Sequence, residues 1–149
     1  MKSIITQQVE QARQGCNPTV ICKMPSGWAV LGDDQFIHGY ALLIADPIVV
    51  DLNSLDTTSR RRYLDDMVII GDALLQVTGA YRINYETLGN LDPALHTHVL
   101  PRYLHEPEKY RIGAVSGYPH ALRTSRPFDY DRDHDLIVKL SNKILTLLG

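Results

Sequence analysis

Between Asp56 and Gly79 the sequence holds a proline-free run in which Leu64, Met67, Val68, Gly71, Leu74 and Leu75 return every three or four residues. That spacing is the period of an α-helix with one apolar side. Asp56 can accept hydrogen bonds from the first free backbone N–H groups as N-cap, and Gly79 suits the left-handed residue that closes a helix. Arg60, Arg61, Asp65, Asp66 and Asp72 lie largely off the stripe. The stripe over Asp56 to Thr78 implies a helix lying on a sheet face, so strands are sought in the flanking sequence.

Those strands are legible. Val20 to Met24 and Trp28 to Leu31 are short apolar runs split by Pro25-Ser26-Gly27, the pattern of a hairpin. Gly32-Asp33-Asp34-Gln35 is a second turn signal, and Tyr40 to Ala45 is an uninterrupted apolar run closed by Asp46-Pro47, which suits a buried strand. After the long helix, Arg82 to Glu86 and Ala94 to Leu100 read as two further strands joined by Leu88 to Pro93. Residues Ser3 to Arg13 read as a short amphipathic helix on Ile4, Ile5 and Val9, stopped at Gly15. Leu136 to Leu148 reads as a closing helix on Ile137, Leu140, Ile144 and Leu148. Between them, Pro101 to Arg132 is rich in Pro, Gly, Tyr and Arg without a period, and reads as an irregular wrap. Its Arg111, Arg123 and Arg126 either border a pocket or sit in solvent, and solvation is the expectation. A hairpin, then a helix, then more strands argue an α+β fold with an antiparallel sheet.

Composition narrows the function. With 149 residues, 44% hydrophobic and 21% charged, the chain reads as a single globular domain over residues 1–149. A formal net charge of −2 gives no bulk attraction to nucleic acid. A small phosphate-bearing ligand needs only a few local donors and stays open. Cys16 and Cys22 make no disulfide framework, and Cys22, inside an apolar run, reads as core. The N-terminal stretch lacks the apolar core of a signal peptide, and no run reaches the ~18 apolar residues of a membrane span. No membrane partner and a cytoplasmic location are the expectation.

The segment that carries chemistry is Asp92-Pro-Ala-Leu-His-Thr-His-Val-Leu-Pro-Arg-Tyr103. Side chains of a strand alternate faces, so Ala94, His96, His98 and Leu100 share one side. Two imidazoles then point the same way, one rung apart. A neutral imidazole near pH 7 is a nucleophile, and its neighbour can donate a hydrogen bond to a phosphate oxygen. Two other readings stand beside this one. The pair can be incidental, or it can supply two ligands of a metal site, for which Cys22, His105 or Asp92 would have to converge.

The surroundings of the pair add specificity. Gly89 to Arg102 reads G-N-L-D-P-A-L-H-T-H-V-L-P-R, which resembles the histidine triad signature of many bacterial proteins, G-N-x-x-P-H-φ-H-x-H-φ-φ-P-R with φ apolar. Upstream, Ser26 to Val30, Phe36, Gly39-Tyr40 and Leu42 to Ile44 resemble the family's paired strands. The resemblance spans roughly residues 21–103, leaving 104–149 as a C-terminal extension that ends in a helix. It implies a bent antiparallel sheet of about five strands with a long flanking helix and a C-terminal helix. It also implies hydrolysis or nucleotidyl transfer at the α-phosphate of dinucleoside polyphosphates or nucleoside phosphoramidates, with no metal and no cofactor. A non-catalytic purine-nucleotide-binding module is the alternative it leaves, and a homodimer is the assembly it implies.

Matched position by position, His96 falls on the family's nucleophilic middle histidine and His98 on the third histidine, which contacts the scissile phosphate. Asn84 resembles the asparagine that contacts phosphate from the preceding strand, and Asn90, from the bacterial G-N variant, is a second amide candidate. Asp33 or Asp34 lies near the acidic position that binds ribose hydroxyls. Ile21, Trp28 and Phe36 lie in the region that packs on the base, although their residue types equally suit ordinary core. Two departures stand out. Ala94 replaces the first triad histidine, keeping a carbonyl but losing the side chain. Ala45-Asp46-Pro47-Ile48 replaces a loop that is basic in many members.

Overall fold

A computed structural model describes residues 2–149. Five strands form one antiparallel sheet in the order β1-β2-β3-β5-β4. They are β1 (Val20–Met24), β2 (Gly27–Leu31), β3 (Ala41–Ala45), β4 (Arg82–Glu86) and β5 (His96–Arg102). The helices are α1 (Ile4–Arg13), α2 (Thr57–Thr78), α3 (Glu108–Arg111), α4 (His120–Arg123) and α5 (Tyr130–Leu148). The α+β class and the five-strand antiparallel sheet agree with the expectation. Among the described residues no helix is long and apolar enough to cross a membrane.

The two faces of the sheet have different partners. On one, α2 and α5 bury Tyr63, Ile70, Leu74, Leu140 and Ile144 against Ala29, Leu31, Leu43 and Val99. On the other, α1 lays Ile5 and Val9 on Val30, Leu42, Ile44 and Ala94. The residues 103–118 cover Leu100 with Tyr103, Val115 and Tyr118. At the hairpin, Gly27 opposes Ala45 so closely that a Cβ there would stand 1.9 Å from the Ile44 carbonyl oxygen. Only glycine fits that approach.

The long helix is where the sequence pattern points, but it is rotated. Asp56 accepts from the Ser59 N–H at 2.8 Å, and Gly79 closes the helix with φ +74°. The buried side, however, is Tyr63, Asp66, Ile70, Gly71, Ala73 and Leu74. Leu64, Val68 and Leu75, expected to face the sheet, are each more than a third exposed. The helix carries apolar residues on two neighbouring stripes, and periodicity alone does not say which meets the sheet. Asp66 lies on the buried side with Tyr63 and Ile70. Its carboxylate reaches across to the β1–β2 turn and accepts from Ser26 N–H at 2.8 Å and Ser26 Oγ at 2.5 Å. A carboxylate that satisfies a turn is worth burying, because unpaired backbone N–H groups are costly.

Two other boundaries differ from expectation. The strand β5 continues to Arg102 through Pro101. Beyond Val99 it has lost its β3 neighbour, so a residue without an N–H is tolerated. The closing helix α5 begins at Tyr130, six residues before the apolar pattern starts, because Asp129 caps it through the Arg132 N–H at 2.9 Å.

Candidate active site

The strand β5 is central, paired with β3 on one side and β4 on the other. His96 stands opposite Ile44 and His98 opposite Leu42. Both rings therefore rise on the α1 face, as their spacing predicts. Thr97 points the other way and is clamped beneath the sheet, its Oγ1 lying 2.9 Å from Tyr63 Oη and 2.7 Å from Thr87 Oγ1. These contacts tie α2 and the loop after β4 to the face of β5 away from the imidazoles.

The two rings lie edge to face with centroids 5.1 Å apart. His96 is 8% exposed, and its Nδ1 lies 2.7 Å from the Ala94 carbonyl oxygen. A carbonyl only accepts, so Nδ1 carries the proton and Nε2 keeps its lone pair in the neutral ring. Substituting alanine at the first triad position thus preserves the contact that orients the middle ring. The Ala94 methyl packs under Ile5 and Val9. His98 Nδ1 lies 2.5 Å from Tyr40 Oη. Burial pushes the His98 ring down to about 4, and the neighbouring His96 adds to the shift, so His98 is neutral at physiological pH. Burial likewise raises the Tyr40 phenol, which stays protonated.

A cleft of about 500 Å³ opens beside His98, between α1 and the C-terminal wrap. Leu42, His98 and Leu100 form its floor, and Ile4, Ile5 and Gln8 of α1 form one wall. Asp33, Asp34 and Phe36 border it from the β2–β3 loop, and Ser116, His120 and Arg123 close the far side. Gln8 Nε2 donates to Asp33 Oδ2 at 3.5 Å, while Gln8 Oε1 is buried without a partner among the described residues. The carboxyl of Asp33 is raised by burial in this cleft.

The residues expected from the sequence separate into groups. His98, Asp33, Asp34 and Phe36 share the cleft, with His96 on the same face one rung along. Asp34 is already engaged, accepting from Phe36 N–H at 2.9 Å and from Arg126 N–H at 3.2 Å, and so tethers the loop to the C-terminal wrap. Asn84 stands opposite Leu100 on β4, and its Oδ1 accepts from Arg102 Nη1 at 2.7 Å. It borders a separate groove with Arg111 and Ile112. Asn90 is exposed in the loop before β5. Ile21 is core on the α5 side of the sheet, away from both histidines. Trp28 faces α1, but its indole N–H donates to Asp46 at 2.9 Å, outside the cleft.

Four lining residues were not among the site residues expected from the sequence. Tyr40 alternates with Leu42 and Ile44, so its face was readable, but its partner depends on the β3–β5 register. Gln8, His120 and Arg123 come from segments distant in sequence. Arg123 is exposed, as expected, and also borders the cleft, its Nε donating to the Tyr118 carbonyl at 3.0 Å. Asp46 does not face this cleft. It accepts from Arg13, Trp28 and Lys23, and the Arg13 hydrogen bond above all holds its carboxyl far below the usual range. Cys22, Asp92 and His105 do not converge on the imidazoles. Cys22 packs on the far-side core, Asp92 accepts from Ile5 N–H at 3.0 Å, and His105 stacks on Tyr103. Among the described residues no three such side chains gather as a metal site.

No family model matches this sequence, and no curated protein matches it. Solved structures do share its fold. A histidine triad protein of Sinorhizobium meliloti is 20% identical with a TM-score of 0.69, over 83% of this chain and 87% of that one. A histidine triad protein of Marinobacter aquaeolei is 20% identical with a TM-score of 0.70, over 86% and 89%. A hypothetical histidine triad nucleotide-binding protein of Sulfolobus tokodaii is 12% identical with a TM-score of 0.72, over 95% and 93%. These likenesses establish the fold of the histidine triad proteins for this chain.

Proposed function

We propose that this chain, with the histidine triad fold and two same-facing imidazoles on its central strand, is a histidine triad nucleotide hydrolase or nucleotidyl transferase. The observation that carries the reading is the 2.7 Å contact of His96 Nδ1 with the Ala94 carbonyl, which leaves His96 Nε2 as a free lone pair.

In the mechanism, Nε2 attacks the α-phosphorus of a dinucleoside polyphosphate or a nucleoside phosphoramidate. The bond from that phosphorus to the leaving oxygen or nitrogen breaks, and the leaving group takes the electron pair and a proton from solvent. Water or another acceptor then attacks the nucleotidyl-histidine. The phosphorus–nitrogen bond breaks, its electron pair returns to Nε2, and the acceptor's proton passes to solvent. One difficult displacement becomes two easier ones. His98 donates to the phosphoryl oxygens, where removing one such donor costs roughly 10²–10³ in rate. Asp33 meets the ribose hydroxyls and Phe36 the base, since both border the cleft beside His98. Asn90, exposed at the loop before β5, supplies an amide only after that loop closes on the ligand.

Ala94 favours a second reading, a purine-nucleotide-binding module without turnover, because its methyl offers His96 no side-chain support. One experiment separates the two. The protein is incubated with diadenosine polyphosphates and adenosine phosphoramidate, AMP release is followed, and intact mass is recorded. Turnover with a nucleotidyl adduct that vanishes in His96→Ala is the expected result. Nucleotide binding with neither turnover nor adduct selects the binding module, and turnover unchanged in His96→Ala rejects the mechanism.

The exposed stripe of Leu64, Val68 and Leu75 on α2 lies on the helix that packs beside edge strand β4. We assign it to contact with a second copy of the chain in a two-fold dimer, which would bury three apolar side chains left in water here.

A further inference from the structure

We propose that Tyr40 is a positioning residue that donates its hydroxyl proton to His98 Nδ1 and so holds His98 as the Nε2–H tautomer. Resting on the function proposed above, this makes the neighbouring rings complementary. His96 offers a lone pair at Nε2, and His98 offers a proton at the same atom.

The donor follows from the acceptors the protein offers and from the relative acidity of the two groups. The pair is 2.5 Å apart, and either group could in principle supply the proton. Had His98 Nδ1–H donated to the phenol oxygen, the Tyr40 proton would need another acceptor. The protein offers no second one: among the described residues His98 is the hydrogen-bond partner of Tyr40 Oη. An imidazole nitrogen is a far better acceptor than a phenol oxygen, and a phenol is the better acid. The ring is also held in place. Phe36 meets Tyr40 edge-on at 6.2 Å, and the Tyr40 and His98 centroids are 5.8 Å apart. Tyr40 packs with Ile37 and Leu100 below the C-terminal wrap, so this positioning depends on that wrap.

The consequence is chemical. A His98 held as Nδ1–H would present a lone pair to a phosphoryl oxygen and repel it. Held as Nε2–H it donates, while the ring remains neutral. Proton placement decides which role an imidazole can play; partners that orient metal-bound histidines through the other ring nitrogen are worth about 10–100-fold in affinity or activity, and an effect of that size is expected here.

The test reads the tautomer directly by ¹⁵N side-chain NMR of the full chain without ligand. His98 is expected to be a single Nε2–H tautomer in the wild type and to lose that uniformity in Tyr40→Phe. Tyr130→Phe, which removes an exposed hydroxyl at the start of α5, serves as control and is expected to leave His98 unchanged. With adenosine phosphoramidate, Tyr40→Phe is expected to lower kcat about 10–100-fold with a smaller change in KM. A wild-type His98 in the Nδ1–H form overturns the proposal without reference to any variant. So does a Tyr40→Phe protein whose His98 tautomer is unaltered. Because the tautomer needs no substrate, a protein with the expected tautomer and no turnover defeats the proposed function while leaving this assignment standing.

Discussion

Arg102 and Glu106 form a 2.9 Å ion pair with both side chains almost wholly out of solvent. Every guanidinium nitrogen is used, for Arg102 Nη1 also donates to Asn84 Oδ1 and the Gly113 carbonyl, and Nη2 to the Tyr110 carbonyl. Glu106 in turn accepts from Tyr118 Oη and from Tyr103 N–H, each at 2.7 Å. The pair pins the C-terminal wrap to the end of β5, and the wrap supplies one wall of the cleft. Arg102→Ala is expected to cost ~3–5 kcal/mol, because a buried carboxylate loses its partner. Denaturant unfolding measures the loss, and limited proteolysis should find new cuts within 103–118.

The same pair sets an acid limit. Burial by itself raises the Glu106 carboxyl, but Arg102, Tyr103 N–H and Tyr118 Oη outweigh it, and the net shift is downward from 4.5. A depressed carboxyl contributes stability that is full above its unfolded value and is lost as pH falls through its folded one. Stability should therefore fall as pH drops below about 4.5, and Glu106→Gln should flatten that part of the profile.

His98 acts at a higher pH. Its folded value is lowered from 6.5 to about 4, so the unfolded chain takes up this proton first as the solution is acidified. The contribution is full above 6.5 and disappears progressively between 6.5 and about 4. His98→Asn should remove this slope, up to ~3 kcal/mol of it. Unfolding midpoints across that pH range, with an NMR titration of the ring, provide the check.

Arg123 is the cation of the C-terminal wall, and among the described residues only its Nε is taken up by the protein. If a nucleotide occupies the cleft with its phosphates toward His98, Arg123→Ala should lose a charge-assisted hydrogen bond. Such a bond is worth ~1.5–3 kcal/mol, or about 10–100-fold in affinity. Calorimetric titration with AMP measures it, and unchanged affinity would place Arg123 outside the ligand's reach.

Leu64→Glu with Val68→Glu should leave a monomer, because the charges cannot be buried between two copies. Sedimentation analysis of both forms decides the matter, and a wild type that is monomeric at high concentration refutes the dimer.

Much of this architecture was settled by short-range pattern. Period-two alternation over Ala94 to Leu100 put His96 and His98 on one face, and the capped period-three-and-four run over Asp56 to Thr78 announced the long helix, since side-chain direction within an element follows from its backbone geometry. What lies opposite an element depends on partners far along the chain, and no local period encodes that. Hence Leu64 and Val68 turned outward while Asp66 turned in to serve the Ser26 turn, Asn84 was claimed by Arg102, and Ile21 went to the far-side core. For the same reason Tyr40 met His98, and Gln8 and Arg123 met across one cleft, only once strand register and the wrap had brought remote segments together.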